Sequence, residues 1–243
     1  NDFLPDLDAI PEETARRAKF IYINYPNNPT GAVATKAFYE KLVAWAKTYE
    51  VGVVSDLAYG ALGYQGYENP SFLSTPGAKD VGIEFYTFSK TFNMAGWRLA
   101  FAAGNGQMIE ALNLIQDHLF VGIFPALQEA GIAALLDPKS EEAVAQLNAT
   151  YDSRRDAFVQ AAAKIGWQAF PSRGSFYAWM PVPEGYTSES FADLLLEKVH
   201  VAVAPGKGFG PAGDAYVRIG LLVEPERLVE AVNRIANLQL FNN

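Results

Sequence analysis

The chain has 243 residues, a formal net charge of −8, an apolar fraction of 50% and no cysteine. That is ample core material for one large domain or two small ones, and it leaves no disulfide framework, thiolate nucleophile or cysteine metal site. The acidic balance argues against a nucleic acid or an anionic membrane surface as partner, because both demand a basic face. The best apolar run, residues 119–127, is broken by Pro125 and is too short to span a bilayer. The start, NDFLPDLDAIPEE, is acidic and lacks the charged-then-apolar pattern of a leader; it reads as internal to a longer polypeptide, with the cytoplasm as default location.

In chain order, residues 11–18 predict a short helix with Glu12 and Glu13 favourably in its first turn. KFIYIN (19–24) predicts a strand ending in a proline-rich turn, where Pro26 and Pro29 hold the residues before them extended and place Asn28 in a rigid loop. Thr35 caps a helix striped with Phe38, Leu42, Trp45 and Tyr49. VGVVSD (51–56) is a second buried strand; it completes a strand–helix–strand unit, which predicts a parallel pair, and delivers Asp56 three residues before Tyr59. Residues 68–77 read as loop. GIEFYTF (82–88) is a third buried strand running out into Ser89, Lys90 and Thr91, at the mouth where open α/β sheets place ligands. A further strand is expected at 98–103, then helices at 107–119, 124–136 and about 140–165, the last stopped by Gly166.

The second half does not alternate regularly. Strands are expected at 167–170, 175–180, 201–204 and 216–221, with helices at 188–199 and 225–238. The fold class is therefore α/β: a mainly parallel sheet flanked by helices (1–137), followed by a small α+β domain (138–243).

Lys90 is the residue to explain. It follows an apolar strand, hydroxyls flank it at Thr87, Ser89 and Thr91, and Arg98 lies eight residues on; a lysine amine so placed can attack an aldehyde, although a loop lysine standing alone is usually a solvated charge. Taken singly, Asp56 and Asn28 are turn residues and Tyr59 a core tyrosine. Arg218, inside the apolar run YVRIGLL, must be paired or exposed at a strand end. GKGFG (206–210) imitates a phosphate loop but lacks the preceding strand and following helix, so a turn is preferred. His118 and His200 have no metal-ligand spacing and read as structural.

Three separated segments change the weight of these single readings: NYPNNPTG (24–31), SDLAY (55–59) and SKTFNMAGWR (89–98). In order and spacing they resemble the signature of fold-type I pyridoxal-phosphate aminotransferases of the aspartate aminotransferase class, over nearly the whole chain. The resemblance implies pyridoxal 5'-phosphate as cofactor and a catalytic set of Lys90, Asp56 and Tyr59. It makes Lys90 the imine-forming lysine and proton carrier, Asp56 the carboxylate on the pyridine nitrogen, and Asn28 with Tyr59 the donors to the phenolic oxygen. Thr87, Ser89 and Arg98 correspond to a phosphate cup. Arg218 corresponds to the arginine that takes the substrate α-carboxylate, with Asn28 and Tyr177 facing substrate. The family's remaining phosphate donors and its ring-stacking aromatic belong to large-domain sequence upstream of the first motif, absent here.

The same resemblance implies amino-group transfer from an L-amino acid to a 2-oxo acid, with 2-oxoglutarate the expected acceptor, by a ping-pong route in a homodimer. The motif surroundings are most similar to the diaminopimelate, aspartate and alanine aminotransferase branch. Two other readings share the fold: an effector-binding domain of a transcription regulator and a β-lyase. A truncated chain without activity is a further expectation.

Overall fold

A computed structural model describes residues 2–241, which fall into two compact units. The first takes the chain up to Pro26, then Val33–Gly63 and Tyr67–Gln146; the second takes Asn27–Ala32, Tyr64–Gly66 and the chain from Leu147 onward.

The first unit opens with α1 (Glu12–Arg17) and β1 (Phe20–Asn24). The hydroxyl of Thr35 accepts the Phe38 N–H and starts α2 (Lys36–Tyr49), which buries Phe38, Tyr39, Leu42 and Val43. Trp45 and Tyr49, also expected in that stripe, are half-buried and pack on each other at 5.3 Å. β2 (Gly52–Asp56) returns parallel to β1, with Asn24 level with Asp56. After α3 (Ala78–Val81), β3 (Gly82–Thr87) adds parallel to β2 with Phe85 level with Asp56. The one-turn helix α4 (Phe88–Thr91) follows, and β4 (Ala100–Gly104) closes the order β1-β2-β3-β4 antiparallel to β3. The strand expected at 98–103 thus begins two residues later, because Arg98 adopts a left-handed backbone (φ 54°).

Side chains alternate across this sheet as the pleat requires. Ile23, Val53, Ser55 and Glu84 are buried on one face, whereas Phe20 and Tyr22, 50% and 75% exposed, stand on the other. Glu84 ties the buried face to the stretch read as loop: its Oε2 accepts from the Ser55 hydroxyl (3.0 Å) and the Phe72 N–H (2.8 Å), and its Oε1 from the Ser71 hydroxyl. That stretch contains a 3-10 turn at Phe72–Ser74, capped by Ser71. α5 (Gly106–Leu119) buries none of its residues and α6 (Pro125–Leu136), apolar nearly throughout, buries Gly131 alone.

The change of unit falls inside α7 (Ser140–Lys164), past the break at residues 137–138. In the second unit β5 (Tyr177–Pro181), β6 (Ala204–Pro205) and β7 (Tyr216–Gly220) form an antiparallel sheet in the order β5-β7-β6. α8 (Ser188–Val199) begins with a reciprocal Thr187–Ser190 capping box. α9 (Pro225–Ala236) buries Leu228, Val232 and Ile235, one helical stripe. These meet Phe158, Trp167, Met180 and Phe191 in a single core.

Two expected strands differ. Residues 167–170 form no strand: Trp167 is drawn into the core, its Nε1 donating to the Pro181 carbonyl (2.7 Å), and the Phe170 N–H reaches the Trp179 carbonyl. The strand at 201–204 shrinks to Ala204–Pro205, because His200 turns left-handed (φ 56°) to end α8 and the Val201 N–H folds back onto the Leu195 carbonyl (3.1 Å). His200 is a helix cap, as a structural histidine should be.

Candidate active site

In the first unit the register of β1, β2 and β3 aligns their C-terminal ends, and Asp56 is the last residue of β2. Its carboxylate accepts the Ala58 N–H (3.0 Å) in a local turn, and its backbone carbonyl accepts from the Asn24 amide (3.0 Å). The side chain reaches solvent, yet the protein around it desolvates the carboxyl enough to raise its pKa above the ordinary carboxylate value, with the Ala58 N–H pulling the other way. Among the described residues no lysine or arginine pairs with it. An anion without a cation at a strand mouth suits a cationic ligand nitrogen.

Tyr59, three residues on, is 5% exposed, and the Lys90 ammonium lies 6.0 Å from the centre of its ring. Lys90 rides on α4, a helical turn where the sequence suggested an open loop. The Thr87 hydroxyl accepts the Ser89 N–H (3.2 Å) and starts the turn, and at its far end the Tyr86 hydroxyl donates to Thr91 Oγ1 (2.7 Å). Under it, Phe88 is buried against Gly131, where an added Cβ would lie 3.3 Å from the Phe88 ring and 2.6 Å from Leu99. Thr87 also donates to the Ser89 hydroxyl (3.0 Å), so these two expected phosphate donors are adjacent. Arg98 is exposed and its guanidinium donates to the Ala95 carbonyl (2.9 Å), not to Thr87 or Ser89.

The second unit assembles the other expected set. Arg218 lies on the central strand β7, level with Trp179 of β5 and Ala204 of β6. Its Nη1 donates to Asn28 Oδ1 (2.7 Å), and its Cζ lies 4.2 Å from the centre of the Tyr177 ring. The Phe209 ring is 4.8 Å away. Among the described residues no carboxylate pairs with this guanidinium, so the bland reading of an edge-strand arginine with an acidic partner does not hold. Asn28, expected beside Tyr59, belongs to this unit.

Sequence reading missed Glu84, Tyr86 and Phe209. An acid inside the apolar run GIEFYTF was itself a signal of buried donors. The described residues contain no acidic, histidine or cysteine group able to hold a metal, and no helix long and apolar enough to cross a membrane. His118 sits on exposed α5 with its Nδ1 at 2.8 Å from the Leu114 carbonyl.

A model of the family "Aminotransferase class I and II" matches residues 1–235, and the chain belongs to that family. It is 57% identical over 239 residues to the L-glutamine–4-(methylsulfanyl)-2-oxobutanoate aminotransferase of Bacillus subtilis (strain 168), covering 98% of this chain and 60% of that protein. An LL-diaminopimelate aminotransferase of Moorella thermoacetica is 49% identical over 235 residues, with 97% and 60% covered. Among solved structures, substrate-bound BacF from Bacillus subtilis superposes with a TM-score of 0.94 at 46% identity, over 99% of this chain and 61% of that one. A double mutant of Thermus thermophilus aspartate aminotransferase superposes with a TM-score of 0.90 at 30% identity, over 98% and 61%. The chain thus spans about 60% of the length of these curated relatives. The likenesses bear out the family and the α/β fold read from the motifs; these relatives are named aminotransferases, which favours neither the regulator nor the β-lyase.

Proposed function

We propose that the chain carries catalytic parts of a pyridoxal-phosphate-dependent aminotransferase, which moves an amino group from an L-amino acid to a 2-oxo acid in two half-reactions. The observation that supports this reading is Asp56 at the end of β2, three residues before Tyr59, whose ring centre lies 6.0 Å from the Lys90 ammonium. The donor set fits the cofactor: an amine for its aldehyde, an anion for its ring nitrogen, and hydroxyls and a guanidinium for its phosphate. When bound, the cofactor supplies an electron sink for the carbon–hydrogen bond to be broken.

Each residue's task follows from its chemistry. The Lys90 Nζ would hold the cofactor at rest and, once freed by substrate, would carry the proton from the substrate α-carbon to the cofactor. Asp56 keeps the ring nitrogen protonated, and pairing with that cation offsets the desolvation that raises its own pKa. The Tyr59 hydroxyl and the Asn28 amide nitrogen donate to the phenolic oxygen. Thr87, Ser89 and Arg98 take the phosphate, for which Arg98 exchanges its Ala95 contact. Arg218, oriented by Asn28, takes the substrate carboxylate beside Tyr177.

In this reading the first unit is the cofactor domain and the second the small substrate domain. The whole protein is a cytoplasmic homodimer, a state supported by the apolar surface left on α5 and α6. The named relatives supply the first substrates to try, glutamine with 4-(methylsulfanyl)-2-oxobutanoate and, separately, LL-diaminopimelate, the latter with the 2-oxoglutarate that the family resemblance implies as acceptor. Lys90→Ala in the whole protein is expected to abolish both the visible absorbance of bound cofactor and turnover; an unchanged rate would refute the proposal.

A further inference from the structure

The glycine-rich turn dismissed as a false phosphate loop holds an aromatic ring against Arg218. Gly206–Phe209 is a 3-10 turn, and Gly206 lies so close to Gly213 that an added Cβ would sit 2.1 Å from the Gly213 carbonyl. The turn is fastened to α8, with the Lys207 N–H donating to the Ser188 hydroxyl (3.2 Å) and the Lys207 ammonium pairing with Glu189 (2.5 Å). Phe209 is 42% exposed, so core burial does not account for its position. Its ring meets the Trp179 ring edge-on (5.9 Å, 82°) and lies 4.8 Å from the Arg218 Cζ.

A guanidinium binds rings through its flat faces and carboxylates through its in-plane N–H fork. Tyr177 and Phe209 both lie at face-stacking distance from Arg218, and Nη1 is already spent on Asn28. What stays available is the rest of the N–H fork. We propose that Phe209 is a positioning residue for carboxylate recognition: it fixes the plane of Arg218 so that the fork points at a substrate carboxylate, common to the amino acid and the 2-oxo acid. The inference rests on the reading of Arg218 given above and adds to it a residue from a turn that no catalytic motif includes.

The test uses the whole protein loaded with cofactor, and the variants Phe209→Leu, Phe209→Tyr and Arg218→Lys. A simple unreactive carboxylate, 3-phenylpropionate, is titrated while its perturbation of the cofactor absorbance is followed; KM and kcat are measured beside it. Phe209→Leu is expected to weaken carboxylate binding about three- to thirty-fold and to raise KM for donor and acceptor together while kcat moves less. Phe209→Tyr, which keeps a ring, restores binding, and cofactor absorbance stays unchanged in both. If Arg218→Lys weakens binding and Phe209→Leu does not, the positioning role is overturned and the Arg218 reading stands. If Arg218→Lys leaves carboxylate binding intact, that reading fails and takes the inference with it. Loss of cofactor absorbance in Phe209→Leu would make Phe209 a folding residue and also overturn the proposal.

Discussion

Glu84 offers the sharpest test of how the parallel sheet is held to the segment before β3. It is 5% exposed within β3, and its acceptors serve the Ser55 hydroxyl, the Ser71 hydroxyl and the Phe72 N–H. Ser55 and Phe72 are themselves almost fully buried. Glu84→Ala strands two buried donors, at about 1–3 kcal/mol each, and opens a small cavity worth about 1 kcal/mol; removing a desolvated charge offsets part of this. The net expectation is a loss of about 3–4 kcal/mol. Glu84→Gln is different, because its amide oxygen can take the place of Oε2 while its NH2 donates to the Ser71 hydroxyl, which rotates to accept. It forfeits only the charge assistance, about 1–2 kcal/mol. Urea unfolding followed by far-UV circular dichroism gives both values, and hydrogen exchange at the Phe72 amide locates the effect. Equal losses for the two variants would refute the reasoning, since hydrogen bonding would then not be what Glu84 contributes.

Asp56→Asn should separate stability from function. The folded-state pKa of Asp56 lies above its unfolded value, so its favourable contribution is present below the ordinary carboxylate range and is lost as pH rises through the folded pKa; above that window the apo asparagine variant should match or exceed the parent in urea midpoint, while turnover falls by roughly two orders of magnitude or more. A pH series of urea melts on both proteins, set beside activity, checks the two signs. Gly131→Ala places a Cβ 2.6 Å from Leu99 and 3.3 Å from the Phe88 ring; overpacking of about 1–3 kcal/mol outweighs a helix-propensity gain of up to about 1 kcal/mol, and a thermal melt should show net destabilisation. Thr187→Ala removes the α8 cap and should cost about 1 kcal/mol, read as a shift in urea midpoint.

What was legible in the sequence is what is encoded by neighbours in the chain. Asp56 and Tyr59 share one turn, and Lys90 and Thr87 another, so their residue types and spacing announced them. The parallel strands followed from the strand–helix–strand pattern, whereas periodicity carries no direction, and the antiparallel β4 was not foreseen. Phe209 was invisible because its meeting with Arg218 depends on the fold of a turn and the register of β7. Residues 167–170 looked like a strand because Trp167 is apolar, yet one large side chain sunk into the core needs no ladder. Apolar α6 reads as a core helix, but composition cannot say what covers a helix, and within the described residues Gly131 alone is buried.

Asp56 and Arg218, both partly withdrawn from water and with no ion pair among the described residues, are the charges that argue for ligands. A desolvated carboxylate with no cation, as at Asp56, costs the folded protein stability at neutral pH. A half-buried guanidinium set among aromatic rings with a single amide acceptor, as at Arg218, leaves most of its donors unserved by the protein. Structural roles account for charges that are paired, as Glu84 accepts from three donors and Arg154 pairs with Glu224. They do not account for an unmatched anion in one unit and an unmatched cation in the other. Under the proposed function a substrate carboxylate and a protonated ring nitrogen would be the matching charges, so each mismatch would be removed on binding, and stability forgone in the absence of ligand would be the counterpart of recognition.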